Sequence, residues 1–240
     1  MARLPALVDA FSAHDPRGRP TIAHIARQLR NDSEIESTRR GAGGAKMTFR
    51  DAATLLIGAC GDMNPAGAVK AVDRMRGFTL DMADHLATMQ GEDLPEHFTW
   101  LRDAENFGAV VEGMIARAPE LKAWGEDYDS FWSDVEGGVS GAEFSMRRAA
   151  QSLRLPGAGF MPGFARAVRI VFHPPALAAE VHLGWVWRSL EDADAFHGYY
   201  AHPDTWAQQR PETDAPENNL ITIEVGIPLL MSLHHTVKDG

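Results

Sequence analysis

Apolar residues recur at helical spacing through the first half of the chain and at alternate positions in its last third, so the pattern predicts helices first and strands afterwards. Leu7, Val8 and Phe11 mark a first helix over Leu4–His14, ended by the turn DPRGRP. Thr21 then stands where an N-cap belongs, ahead of an apolar stripe of Ile22, Ile25, Ala26 and Leu29. His24, Arg27, Gln28 and Asn31 fall on the opposite face, with Arg30 flanking. Thr48 and Asp51 have the spacing of a capping box. They open a helix whose stripe is Phe49, Ala52, Ala53, Leu56, Ile57 and Cys60. Asn64 followed by Pro65 starts another, carried by Val69, Val72 and Met75.

The helical period continues through the middle of the chain. Met82, Leu86 and Met89 predict one helix, and Phe98 with Leu101 a second. Phe107, Val111, Met114 and Ile115 predict a third, closed by Pro119; Leu121, Trp124, Tyr128, Phe131, Trp132 and Val135 extend the series. Ser140 and Glu143 form a capping box before a helix bearing Arg147, Arg148 and Arg154. The stretch LPGAGFMPG has the composition of a linker, and beyond it the period falls to two. Val168, Ile170 and Phe172 alternate in one strand, Ala179, Val181, Leu183, Trp185 and Trp187 in a second, and Ile221, Ile223 and Val225 in a third. Pro228 opens a last helix. Residues 188–219 read as a long connection, aromatic in its first half, expected to hold a short helix or an aromatic pocket.

These elements predict an α+β fold that is mostly α. A helix-turn-helix-like module is expected over residues 1–78, a helical middle over 79–155, and a small antiparallel sheet with a covering helix over 164–240. Three strands leave open edges, so the last domain is expected to make a homo-oligomer.

Charge divides the chain unevenly. Residues 1–76 hold 12 Lys and Arg against 8 Asp and Glu, and the remainder holds 11 against 25. A net charge of −10 excludes indiscriminate coating of nucleic acid, but the basic surplus at one end fits a module aimed at a polyanion. The single cysteine, Cys60, excludes a disulfide within the chain and a thiolate metal cluster. No apolar run is long enough to cross a membrane, and the first residues lack the apolar core of a secretory signal. The expected location is therefore cytoplasmic, with no membrane contact. HExxH, GxSxG and the P-loop pattern are absent, so no catalytic residue, metal ligand or cofactor is assigned. Glu180, His182, His197 and His202 are the one grouping suited to acid–base or metal chemistry.

The segment STRRGAGGAK concentrates the chemistry. Arg39, Arg40 and Lys46 bracket Gly41, Gly43 and Gly44. Glycines permit close backbone approach, and guanidinium forks match phosphate oxygens. Arg27, Gln28, Arg30, Thr38, Arg39, Arg40, Gly41, Lys46, Thr48 and Arg50 are accordingly the expected DNA contacts. The sequence IARQLR, this loop and MTFRDAATLLI together resemble the N-terminal DNA-binding modules of phage and prophage proteins. The overall layout is similar to that of phage small terminase subunits. The resemblance implies a sequence-specific double-stranded DNA-binding protein, acting as a transcriptional regulator or in DNA packaging or replication. One alternative is an acidic interaction factor that binds a basic protein. Another is a ligand- or metal-dependent enzyme using the aromatic and histidine-rich segment 196–206.

Overall fold

The computed structural model describes residues 3–36, 45–81, 99–125, 168–174, 178–183, 196–201 and 223–239. Its helices are α1 (Leu4–Ser12), α2 (Gly18–Asn31), α3 (Phe49–Cys60), α4 (Ala68–Met75), α5 (Thr99–Asp103), α6 (Phe107–Ala116) and α7 (Ile227–Asp239). The strands are β1 (Thr79–Asp81), β2 (Val168–His173), β3 (Ala178–Leu183), β4 (Phe196–Ala201) and β5 (Ile223–Gly226). The class is α+β and mostly α, as the periodicity requires.

Local chemistry sets the helix ends. α2 starts at Gly18, three residues before Thr21, which corrects the expected cap. The Asp15 carboxylate accepts from the Arg17 amide at 2.8 Å, and Gly18 turns the chain at a φ of +76° that glycine adopts without strain. Thr21 instead donates its hydroxyl to the Arg17 carbonyl at 3.1 Å, inside the first turn. α2 ends where Ser33 adopts a φ of +69°, letting the Glu34 amide reach the Leu29 carbonyl at 2.9 Å. Thr48 and Asp51 form the expected reciprocal capping box of α3. Asn64 caps a single 3-10 turn, Pro65–Gly67, that leads into α4.

α3 is the axis of the helical part. Every residue from Asp51 to Cys60 is buried, because α2, α4, α6 and α7 pack around it. The expected stripe is thus one face of a helix that is buried all round from Asp51 onward. Gly58 is what allows α2 so close: a β-carbon there would lie 2.9 Å from Leu29 Cδ1. Burial also pushes the Cys60 thiol up to about 12. The thiol stays protonated in the folded chain while the unfolded chain ionises near 9, so stability is full below pH 9 and declines from there towards pH 12. Urea denaturation across that range is expected to lose about 1.4 kcal/mol per pH unit relative to Cys60→Ala. Parallel profiles for the two proteins would contradict it.

The sheet runs β1-β4-β3-β2-β5 and is antiparallel throughout. Ile170 stands opposite both Val181 and Val225, which aligns the apolar sets of three strands on one face. Val168, Ile170, Phe172, Val181, Leu183 and Tyr200 are buried there. The three expected strands are present, but two more join them. Thr79–Asp81, read as the start of a helical region, is β1; Phe196–Ala201, read as part of a long connection, is β4. β1 has only three residues, and FHGYYA in β4 shows no regular alternation of apolar and polar positions, so each is a strand because a neighbour pairs with it. β4 covers the edge of β3 that the three-strand expectation left open. The outer strands have three and four residues, which limits pairing with another chain. Pro119 does not close α6; helix ends at Ala116 and resumes at residues 118–125, with the proline in the first turn, where no amide is required.

Helices and sheet share one core. A single buried cluster runs from Leu7 in α1 through α2, α3, α4 and α6 to Val168 in β2 and Val237 in α7. It crosses the boundaries expected near residues 78 and 164. α7 packs on α1, α3 and α6, and Ser232 on it donates to the Ala10 carbonyl at 3.4 Å. Phe107 joins the layers, with its ring centroid 5.6 Å from Phe172 and 5.2 Å from Tyr200.

Candidate nucleic-acid interface

The surroundings of Asp51 organise the basic end of the chain. Its carboxylate is buried and accepts the Glu36 amide at 3.1 Å, the Thr48 amide at 2.8 Å and the Thr48 hydroxyl at 2.7 Å. Glu36 precedes the glycine-rich loop and Thr48 follows it, so one side chain holds both ends. Ile35, Ala45 and Met47 are buried beneath this clasp. The C-terminus of α2 therefore meets the N-terminus of α3, although seventeen residues separate them in sequence. That separation is far longer than the tight turn of a helix-turn-helix.

The cations of residues 1–76 do not form a uniform surface. Arg17 donates to both oxygens of Asp15 and to the Ala59 carbonyl, and the bond to Asp15 raises its guanidinium above the ordinary value. Arg19 pairs with Asp9 at 2.5 Å. Arg76 is half-buried, donates to the buried Thr54 hydroxyl at 2.6 Å and lies 3.9 Å from Glu112. Burial first, then the like charge of Arg50, holds the Arg76 guanidinium below its usual value.

Of the expected contacts, Arg27 and Arg30 are exposed on α2, and Lys46 is exposed beside the clasp. Arg50 is exposed at the start of α3. Among the described residues none of these four makes an ion pair. One expected contact is spent internally. Thr48 commits its only hydroxyl proton to Asp51, which leaves none for a phosphate. Gln28 is half-buried and its amide nitrogen lies 3.1 Å from His24 Nε2. Thr38, Arg39, Arg40 and Gly41 lie outside the described residues, as does His202 of the histidine grouping.

Two clefts flank the α3 N-terminus, and they differ in sign. One, of about 420 Å³, sets Arg50 and Arg76 against Glu34, Asp73, Glu105 and Glu112. Two guanidiniums facing four carboxylates do not attract a polyanion, so the cleft that Arg50 lines is a poor place for a phosphate. The other, of about 450 Å³, is lined by Lys46, Met47, Thr48, Phe49, Ala116, His234, Val237 and Lys238, with no carboxylate among them. Lys238 and His234 had no signal in the sequence, since only the packing of α7 on α3 brings them beside Lys46.

A second polar cluster lies on the face of the sheet opposite Val168, Ile170 and Phe172. The Glu180 carboxylate bridges His173 Nε2 at 2.8 Å and His182 Nε2 at 2.9 Å. The grouping expected around Glu180 and His182 thus gains His173 from β2, and His197 is the cross-strand neighbour of His182. Arg169 on the same face lies 3.8 Å from Glu224. Among the described residues no set of three or more His, Cys, Asp or Glu has the arrangement of a metal site. No described helix is long and apolar enough to cross a membrane. No family model, curated protein or solved structure matches this chain.

Proposed function

We propose that the protein binds double-stranded DNA through the exposed side of α2 and the basic loop held by Asp51. The observation that supports this reading is the clasp itself. Three hydrogen bonds to one buried carboxylate hold the loop ends at the C-terminus of α2. Arg39 and Arg40 follow Glu36 by three and four residues in the sequence. α3 cannot serve as a recognition helix, because its side chains are consumed by the core. α2 is left as the helix that can approach a groove, with Arg27 and Arg30 one turn apart on its open face.

Phosphate contact of this kind makes affinity depend on salt. Five contacts, from Arg27, Arg30, Arg39, Arg40 and Lys46, predict a slope of log K against log salt of about −4.5. Titrating random duplex DNA at several salt concentrations checks this. Changing Arg27 and Arg30 together to Ala is expected to flatten the slope by about 1.8. Arg50→Ala serves as the control and is expected to leave it unchanged, since Arg50 faces carboxylates. An unaltered slope in the double variant removes α2 from the interface. Absence of any shift of duplex DNA would overturn the DNA reading.

A further inference from the structure

We propose that the cleft between the start of α3 and the last turns of α7 is a binding site for an organic phosphate monoester. The site goes beyond the DNA reading, with which it shares only Lys46. Its floor is Met47, Phe49, Ala116 and Val237, its charged groups are Lys46 and Lys238, and its volume of about 450 Å³ is that of a small-molecule pocket. The absence of a carboxylate from its lining leaves both ammonium groups uncompensated there.

His234 gives the cleft its selectivity. The residue is 5% exposed and lines the cleft, and its ring stacks on Phe49 with centroids 5.6 Å apart and planes 24° apart. Nδ1 lies 3.0 Å from the Ile115 carbonyl. A carbonyl oxygen only accepts, so Nδ1 carries the hydrogen and Nε2 holds the lone pair in the neutral ring. Among the described residues Nε2 has no hydrogen-bond partner. A fixed acceptor that opens on a cleft also lined by two lysines suits a ligand that is anionic and still has a proton to donate. The monoanion of a phosphate monoester, present below and around its second pKa of about 6, has both: its charged oxygens meet Lys46 and Lys238, and its P–OH donates to Nε2. A phosphodiester and sulfate carry no such proton near neutral pH. The positive end of α3 adds to the attraction but does not distinguish these anions.

The test uses the whole chain and inorganic phosphate, followed by NMR through the imidazole signal of His234, with sulfate and dimethyl phosphate as comparison anions. Phosphate is expected to shift that signal saturably, and the two comparison anions to bind about tenfold more weakly for want of one hydrogen bond. Lys238→Ala, an exposed position, is expected to weaken phosphate about tenfold, and Lys46→Ala with Lys238→Ala to abolish it. Equal affinity for phosphate and sulfate overturns the role of His234, and an unchanged phosphate titration in the double variant overturns the site. Lys238 has no part in the proposed DNA face. Loss of phosphate binding in Lys238→Ala therefore supports the cleft whether or not the chain binds duplex DNA.

Discussion

Phe107→Ala is expected to lower the free energy of unfolding by about 4 kcal/mol, the largest effect of any single change considered. The ring is fully buried at the first turn of α6 and meets Phe172 edge-on and Tyr200 at a tilt. Removing it vacates the place where the helices rest on the sheet. The lost transfer energy and the remaining cavity act together, and two aromatic contacts disappear besides. Against a typical total of about 5–15 kcal/mol, such a loss leaves the protein close to its unfolding threshold. Phe107→Leu keeps most of the volume and is expected to recover more than half of the loss. Urea denaturation followed by circular dichroism and by tryptophan fluorescence measures both variants. Because one cluster spans α1 to α7 and the sheet, the two signals are expected to move together. Separate transitions would support a division of the chain near residues 78 and 164.

Asp51→Ala ranks next, with an expected loss of about 3 kcal/mol. The carboxylate has three partners outside its own helix turn or at its cap, namely the Glu36 amide, the Thr48 amide and the Thr48 hydroxyl. Removing it orphans two amides at the base of the loop and breaks the capping box of α3. Asp51→Asn is no remedy, since its NH₂ would face donors on one side. The loss is therefore expected to remain above 1 kcal/mol in that variant as well. Faster amide exchange at Glu36 and Thr48 locates the damage. If the DNA reading holds, duplex affinity falls in Asp51→Ala even though no cation has been removed. A variant with wild-type stability and ordinary exchange at both amides would show that the clasp holds nothing together.

Much of the local architecture could be read from residues near each other in the chain. The Thr48–Asp51 box, the Asn64–Pro65 start and the apolar stripes of α1, α2, α6 and α7 all rest on interactions within one or two turns. The alternation in β2, β3 and β5 is likewise local, and it placed three strands correctly. What failed depended on distant partners. β1 has three residues and pairs with β4, more than a hundred positions away. No period within either segment separates such a strand from a helix end or a loop. Thr21 was misplaced as a cap because Asp15, farther back, takes the Arg17 amide instead.

The expected contacts followed the same division. Residue type and spacing located a basic, glycine-rich loop and an exposed polar face on α2, for these are properties of short segments. Whether a given cation is available is a property of its surroundings. Arg17 and Arg76 are turned to internal oxygens, and Arg50 faces Asp73 on α4, Glu112 on α6, Glu105 just before α6 and Glu34 just after α2. By itself, then, the order of residues determined the α+β class, most helix ends and the concentration of positive charge near one terminus. Tertiary structure alone decided that α3 is an interior helix, that Asp51 closes the loop, and that Lys46 meets Lys238 and His234 across a cleft. The reason is physical: hydrogen bonding and periodicity act over a few residues, whereas burial and electrostatic potential are sums over every group that packing brings near.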